Sequence, residues 1–179
     1  MRAVVQRVRW ARVEVAGEVV GAIGPGLLVL AGVARGDTIQ DAQRLARKLA
    51  RLRLFDGPER PFDVAVGDSG GEILLVSQFT LLARCWKGNR PSWSEAAEPE
   101  EAAPLLADLA GRISEEGVAV KTGRFGASMQ VSLVNDGPVT LHLDTRQVEQ
   151  SGGAVGRQGC PPASTRGRGR CYSPSGSSR

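Results

Sequence analysis

The sequence predicts an α+β domain, with strands interleaved with two helices, and three observations predict it. Residues 3–15, 129–133 and 139–143 alternate apolar and polar side chains, the period of a half-buried strand. The runs 27–33 and the first half of 72–81 are apolar on both faces, as strands inside a sheet are. Between them, 37–52 and 98–117 repeat apolar residues at helical spacing.

In order, residues 3–15 read as a strand, a bend near Trp10-Ala11 and a second strand, with Val4, Val8, Val13 and Val15 on the apolar face. Glu18 to Ile23 is a third strand, bounded by Gly17 and the turn Gly24-Pro25-Gly26. The run Leu27 to Val33 belongs in the middle of the sheet. Asp37 is expected to cap the first helix, with Gln40 as its capping-box partner, while Arg44, Arg47, Lys48 and Arg51 form a basic outer face. Residues 56–61 form a turn, and Glu72 to Leu81 form a strand that brings Ser77, Gln78 and Thr80 to its carboxyl end. The loop Lys87-Gly88-Asn89-Arg90-Pro91-Ser92-Trp93 is basic with a large aromatic, a combination suited to phosphate and base. The second helix opens with Glu98-Pro99-Glu100-Glu101 and stops at Gly117; Pro104 implies a bend, or a start near Ala103. Last comes the turn Asn135-Asp136-Gly137-Pro138, held between two strands.

Beyond the domain, expected over 1–150, the composition changes. From Ser151 onward there are five of the chain's 23 basic residues, none of its 19 acids, and much Gly, Ser and Pro, so the net charge of +4 is a property of a tail expected to be disordered. Cys85 is the one cysteine before that tail, which excludes a disulfide framework and a metal site and points to a reducing compartment. Arg2 and Arg7 break any secretory core and no run reaches spanning length, so a cytoplasmic protein without a membrane is expected.

Absent motifs narrow the chemistry. His142 is the only histidine, and no phosphate-binding loop, dinucleotide signature or metal-spaced cluster occurs; Gly67-Asp68-Ser69-Gly70-Gly71 has the Gly-x-Ser-x-Gly spacing but leads into the next strand, not into a helix, and so makes no nucleophile elbow. If the chain is an enzyme, its chemistry must need little from side chains, and an already activated ester would qualify, its developing oxyanion met by backbone N–H groups that contribute about 3 to 4 kcal/mol each. The Gly137-Pro138 turn reads either as a hairpin corner or as a rigid wall of carbonyls facing a ligand.

Six segments together resemble the D-aminoacyl-tRNA deacylase family: residues 1–8, Gly26 to Val33, Ser77-Gln78-Phe79-Thr80-Leu81, Lys87 to Trp93, Gly123 to Met129, and Asn135-Asp136-Gly137-Pro138-Val139-Thr140. The resemblance covers roughly residues 1–145 in order. It implies a homodimeric α+β fold, with a mixed, largely antiparallel, barrel-like sheet and two main helices packed on it. The implied activity is hydrolysis of the ester between a D-amino acid, or glycine, and the terminal adenosine of tRNA, without a cofactor. It further implies that Gly137 and Pro138 form a cis turn that enters the partner subunit's pocket as a chirality filter. Ser77, Gln78, Phe79 and Thr80 line that pocket and supply backbone donors, with Thr80 or the tRNA 2′-OH assisting. Arg7 supports the turn, and Phe125, Met129 and Asn135 lie with the substrate-binding positions.

The chain departs from the family pattern at Pro61-Phe62-Asp63, at Cys85-Trp86, at Trp93 and in the tail. A second reading keeps the fold but not the turnover: a homodimer that binds RNA or DNA, suggested by the basic loop and tail.

Overall fold

The computed structural model describes residues 1–86 and 88–147; Lys87 of the basic loop and the expected tail at 151–179 lie outside the described residues. The chain forms β1 (Arg2–Val15), β2 (Glu18–Ile23), β3 (Gly26–Gly32), α1 (Ile39–Arg51), β4 (Arg53–Phe55), β5 (Val64–Ala65) and β6 (Glu72–Ser77). A 3₁₀ turn (Phe79–Leu82), α2 (Pro99–Glu115), β7 (Val120–Thr122) and β8 (Gln130–Asp144) follow. The main sheet runs β2-β1-β3-β6-β7, with β8 also on β1, while β4 and β5 form a separate pair. β1 is antiparallel to β2, β3 and β8, whereas β3–β6 and β6–β7 are parallel. The α+β expectation holds, with a mixed sheet that nearly closes on itself. Gly21 of β2 lies so close to β7 that a Cβ there would stand 2.7 Å from the Thr122 carbonyl oxygen.

Alternation sorts the side chains into two cores. Val5, Leu27, Val29, Ile73 and Leu75 face Leu45 and Leu49 of α1 and Leu109 and Ile113 of α2. Val8, Val13, Leu28, Leu74 and Val76 point into the curl of the sheet, closed by Met129, Val131 and Leu133. β3 is buried on both faces, as its unbroken apolar run requires. Each such Leu, Ile or Val contributes about 1.5–3 kcal/mol relative to exposure.

Several boundaries differ from the expectation. β1 is one strand of 14 residues rather than two, and Ala16 and Gly17, both at positive φ, make the tight hairpin to β2. Thr38, not Asp37, caps α1, and Asp41, not Gln40, completes the box, accepting from the Thr38 N–H and Oγ1 at 2.9 Å each. Asp37 is occupied elsewhere. Its buried carboxylate takes the Met1 ammonium at 2.8 Å and the Ala34 N–H at 2.6 Å. α2 begins at Pro99, as the Glu98-Pro99-Glu100-Glu101 opening predicts and not near Ala103, and runs on through Pro104, which forgoes one i→i−4 bond in the second turn. The outer face of α1 is partly tied down, with Arg47 and Arg51 pairing with Glu116.

Candidate active site

β6 ends at Ser77, earlier than the expected Leu81, and the chain folds at Gln78 into the 3₁₀ turn, so the polar residues sit on a turn and not on a strand. The Gln78 N–H donates to the Ala31 carbonyl at 2.8 Å, which stitches the turn to the end of β3. Glycine makes that approach possible. A Cβ on Gly32 would stand 2.5 Å from Leu82 Cδ2 and 2.7 Å from the Gln78 carbonyl oxygen. The Phe79 and Thr80 N–H groups open the turn, where helical geometry itself supplies no acceptor.

Ser77, Gln78 and Phe79 line a cavity of about 410 Å³ between the end of β3 and the start of α2, with Trp93 and Phe125 at its rim. Ser77 and Phe125 also line an adjoining cavity of about 330 Å³ under α2. Phe79 and Trp93 meet edge to face at 5.8 Å, and both remain substantially exposed, as does Phe125. Such rings offer a stacking surface beside a pocket walled largely by alanines and glycines, with the Arg35–Glu98 ion pair also in its lining. The Thr80 hydroxyl is a hydrogen-bond partner of the Gln78 amide, and among the described residues no acid or histidine bonds to it.

The second cluster is built on β1 and β8. Gln6 is opposite Thr140 and Val8 is opposite Asn135, so five steps along β8 answer two along β1. Asp136 to Val139 stand opposite Arg7 alone, with Gly137 and Pro138 extruded and Val139 turned back into the core, while strand pairing continues on both sides. The turn thus interrupts one strand instead of joining two, and its Gly137–Pro138 peptide is cis. Arg7 is 8% exposed. Its Nε donates to the Asp136 carbonyl at 3.2 Å and lies 3.2 Å from Asp136 Oδ2, and its Nη1 donates to the Leu54 carbonyl at 2.5 Å. Arg9 Nε holds the other carboxylate oxygen of Asp136 at 3.3 Å. These partners offset the desolvation of a buried guanidinium. Asn135 accepts from Gln6 Nε2 at 3.2 Å.

The expected site residues therefore fall into two groups. Ser77, Gln78, Phe79 and Phe125 share the cavity; Arg7, Asn135, Gly137 and Pro138 share the turn. Thr80 stands behind Gln78, and Met129 packs into the inner core, its sulfur 2.6 Å from where a Cβ on Gly123 would lie. Trp93, read as part of the basic loop and as a departure from the family pattern, lines the cavity; its spacing from Phe79 carries no local signal. Among the described residues no group of three or more His, Cys, Asp and Glu converges, and no helix is long and apolar enough to cross a membrane.

A nearly closed mixed sheet, a cavity beside the Phe79 turn and an arginine-held Gly-Pro turn are the features this chain brings to a comparison with known proteins. The chain is 55% identical over 148 residues to a D-aminoacyl-tRNA deacylase of Chloroflexus aurantiacus, covering 83% of this chain and 92% of that protein. It is 56% identical to the D-aminoacyl-tRNA deacylase of Anaeromyxobacter dehalogenans, over 83% of this chain and 99% of the relative. The D-Tyr-tRNA(Tyr) deacylase profile matches residues 4–144, and the chain belongs to that family of D-aminoacyl-tRNA-hydrolysing enzymes. Among solved structures it resembles a c-Myc DNA unwinding element binding protein, with a TM-score of 0.75 and 40% identity over 80% of this chain and 98% of the other. A probable eukaryotic D-amino acid tRNA deacylase shares the fold, with a TM-score of 0.67 and 17% identity over 79% of this chain and 97% of the other.

Proposed function

We propose that this chain, working in the cytoplasm, removes D-amino acids, and glycine mischarged on tRNA(Ala), from the 3′ end of tRNA by hydrolysing the ester. In this reading two subunits share each site: the Gly137–Pro138 turn of one protomer closes the cavity lined by Ser77 to Phe79 of its partner and excludes L side chains. One observation carries it. Within a single chain the turn is exposed and absent from the described lining of the cavity, while Arg7 and Asp136 hold it outward. A wall of main-chain carbonyls rejects every L side chain alike, whereas a pocket that gripped D side chains would prefer some of them.

Hydrolysis runs by positioning. The cavity orients the ester, the N–H groups that open the Phe79 turn receive the developing oxyanion, and the tRNA 2′-OH assists the attacking water. Thr80 is the weaker candidate, because its hydroxyl is engaged by Gln78 and has no base beside it. The test is release of labelled amino acid from D- and L-aminoacyl-tRNA at enzyme concentrations well below substrate, together with a 2′-deoxy terminal adenosine. Turnover of the D form and its loss with the deoxy form support the mechanism. Mixing a Phe79→Ala variant with a Gly137→Val variant should restore activity if sites are shared, and a mixture as inactive as its components refutes the shared site. Nucleic-acid binding without turnover, suggested by the DNA-binding name of one structural relative, would be supported by retention of tRNA with no label released.

A further inference from the structure

The segment Pro61-Phe62-Asp63, which departs from the family pattern, belongs to neither the cavity nor the strands that frame the turn. Phe62 has φ 55°, in the left-handed region that aromatic residues rarely enter, and it is 51% exposed, so burial does not account for its placement. Its contacts do. The Arg7 guanidinium carbon lies 5.7 Å from the centre of the Phe62 ring. The Phe62 N–H donates to Asp56 Oδ1 at 3.2 Å, and the same oxygen is 3.8 Å from Arg7 Nη1. Leu54, Asp56 and Phe62, all on the β4–β5 excursion, therefore close on one side of Arg7, while its Nε reaches Asp136 on the other.

We propose that Phe62 is a positioning residue for the Gly137–Pro138 turn, acting through Arg7, and that rejection of L-aminoacyl esters depends on it. A planar guanidinium lying against an aromatic ring keeps its edge for N–H donors, so the ring fixes the tilt at which Nε meets the peptide just before Gly137. Asp56 holds the ring in place by gripping its backbone. The inference rests on the chirality-filter reading above, and it adds the loop between β4 and β5 to the groups that hold the turn.

The decisive variant is Phe62→Gly. Glycine suits a positive φ better than phenylalanine does, so the melting temperature should hold or rise while the ring is lost. The D-over-L ratio of kcat/KM should fall about 3- to 30-fold, the range of a single cation–π contact, through faster L turnover. Hydrogen exchange at the Asp136 and Gly137 amides should quicken. Phe62→Tyr should preserve wild-type behaviour and Phe62→Leu should not. Unchanged exchange overturns the latch, and faster exchange with unchanged selectivity overturns its role in L rejection. Faster exchange in a chain whose wild type hydrolyses no D-aminoacyl-tRNA refutes the functional reading but supports the latch.

Discussion

The turn and the cavity are held by opposite means. Around Gly137–Pro138 the fixing groups are charged side chains, Arg7, Arg9 and Asp136, clamped across a paired strand. Around Gln78 they are backbone hydrogen bonds and close approach, with alanine and glycine leaving room and three exposed rings at the rim. On the proposed reading the turn excludes and must not yield, which its bracing from several directions would serve. A surface that receives a substrate needs space and donors more than side-chain chemistry. The turn should therefore respond to loss of charge, and the cavity to added volume.

Arg7→Ala should have the largest effect. It leaves the Asp136 and Leu54 acceptors without their cation, and since Asp136 is partly exposed the loss should be about 2–3 kcal/mol by denaturant unfolding, accompanied by loss of D-over-L discrimination. Next is Gly32→Ala, which adds the volume the cavity side cannot absorb, because the new Cβ would meet the Gln78 backbone carbonyl as well as Leu82 Cδ2. A loss of about 1–3 kcal/mol and a strong fall in D-ester turnover are expected, and wild-type turnover would show that the 3₁₀ turn shifts freely. Thr80→Ala should cost no more than about tenfold in kcat, because the backbone donors survive the substitution. A loss of three or more orders of magnitude at unchanged binding would assign the nucleophile to Thr80.

The smallest effect is expected from acid. Burial raises the Asp144 carboxyl, but hydrogen bonds from the Arg146 N–H and from Arg2, with the Arg2 charge, outweigh it and hold it below its ordinary value. Asp41 behaves alike, burial being outweighed by its bonds from Thr38 and Thr145. Both therefore add stability that is complete above about pH 4 and is lost as pH falls through their folded values. Arg2 also donates to the Leu81 carbonyl at 3.4 Å, so melting curves taken below about pH 4 should show the cavity side loosening.

Much of this was legible in the sequence, and the exceptions share a cause. The both-face apolar run of β3, the bounds of β2 and the two amphipathic helices are local patterns, and local patterns survive into the fold. The motif Ser77 to Phe79 and the residue Phe125 likewise proved to share one cavity. What could not be read depends on partners distant in the chain. Asp37 lost its capping role to an ammonium 36 residues upstream. β7 is three residues long and exists because β6 offers it an edge. The Asn-Asp-Gly-Pro cluster signals a turn, but only its register against β1 reveals an extrusion from a continuous strand. The contact between Arg7 and Phe62 has no periodicity at all.

The pairing of β1 with β8 also sets when the turn can exist. Arg2 meets Asp144 at a sequence separation of 142, so the frame around Gly137–Pro138 closes one of the longest loops in the domain. While the chain is being synthesised, β1 can find β2 and β3 within its first 32 residues, but it waits for β8 until the whole domain has left the ribosome. The edge of β1 that will carry the turn is meanwhile open to other strands. Arg7 and Arg9 stand on that waiting strand, and their charge opposes its pairing with an unintended neighbour.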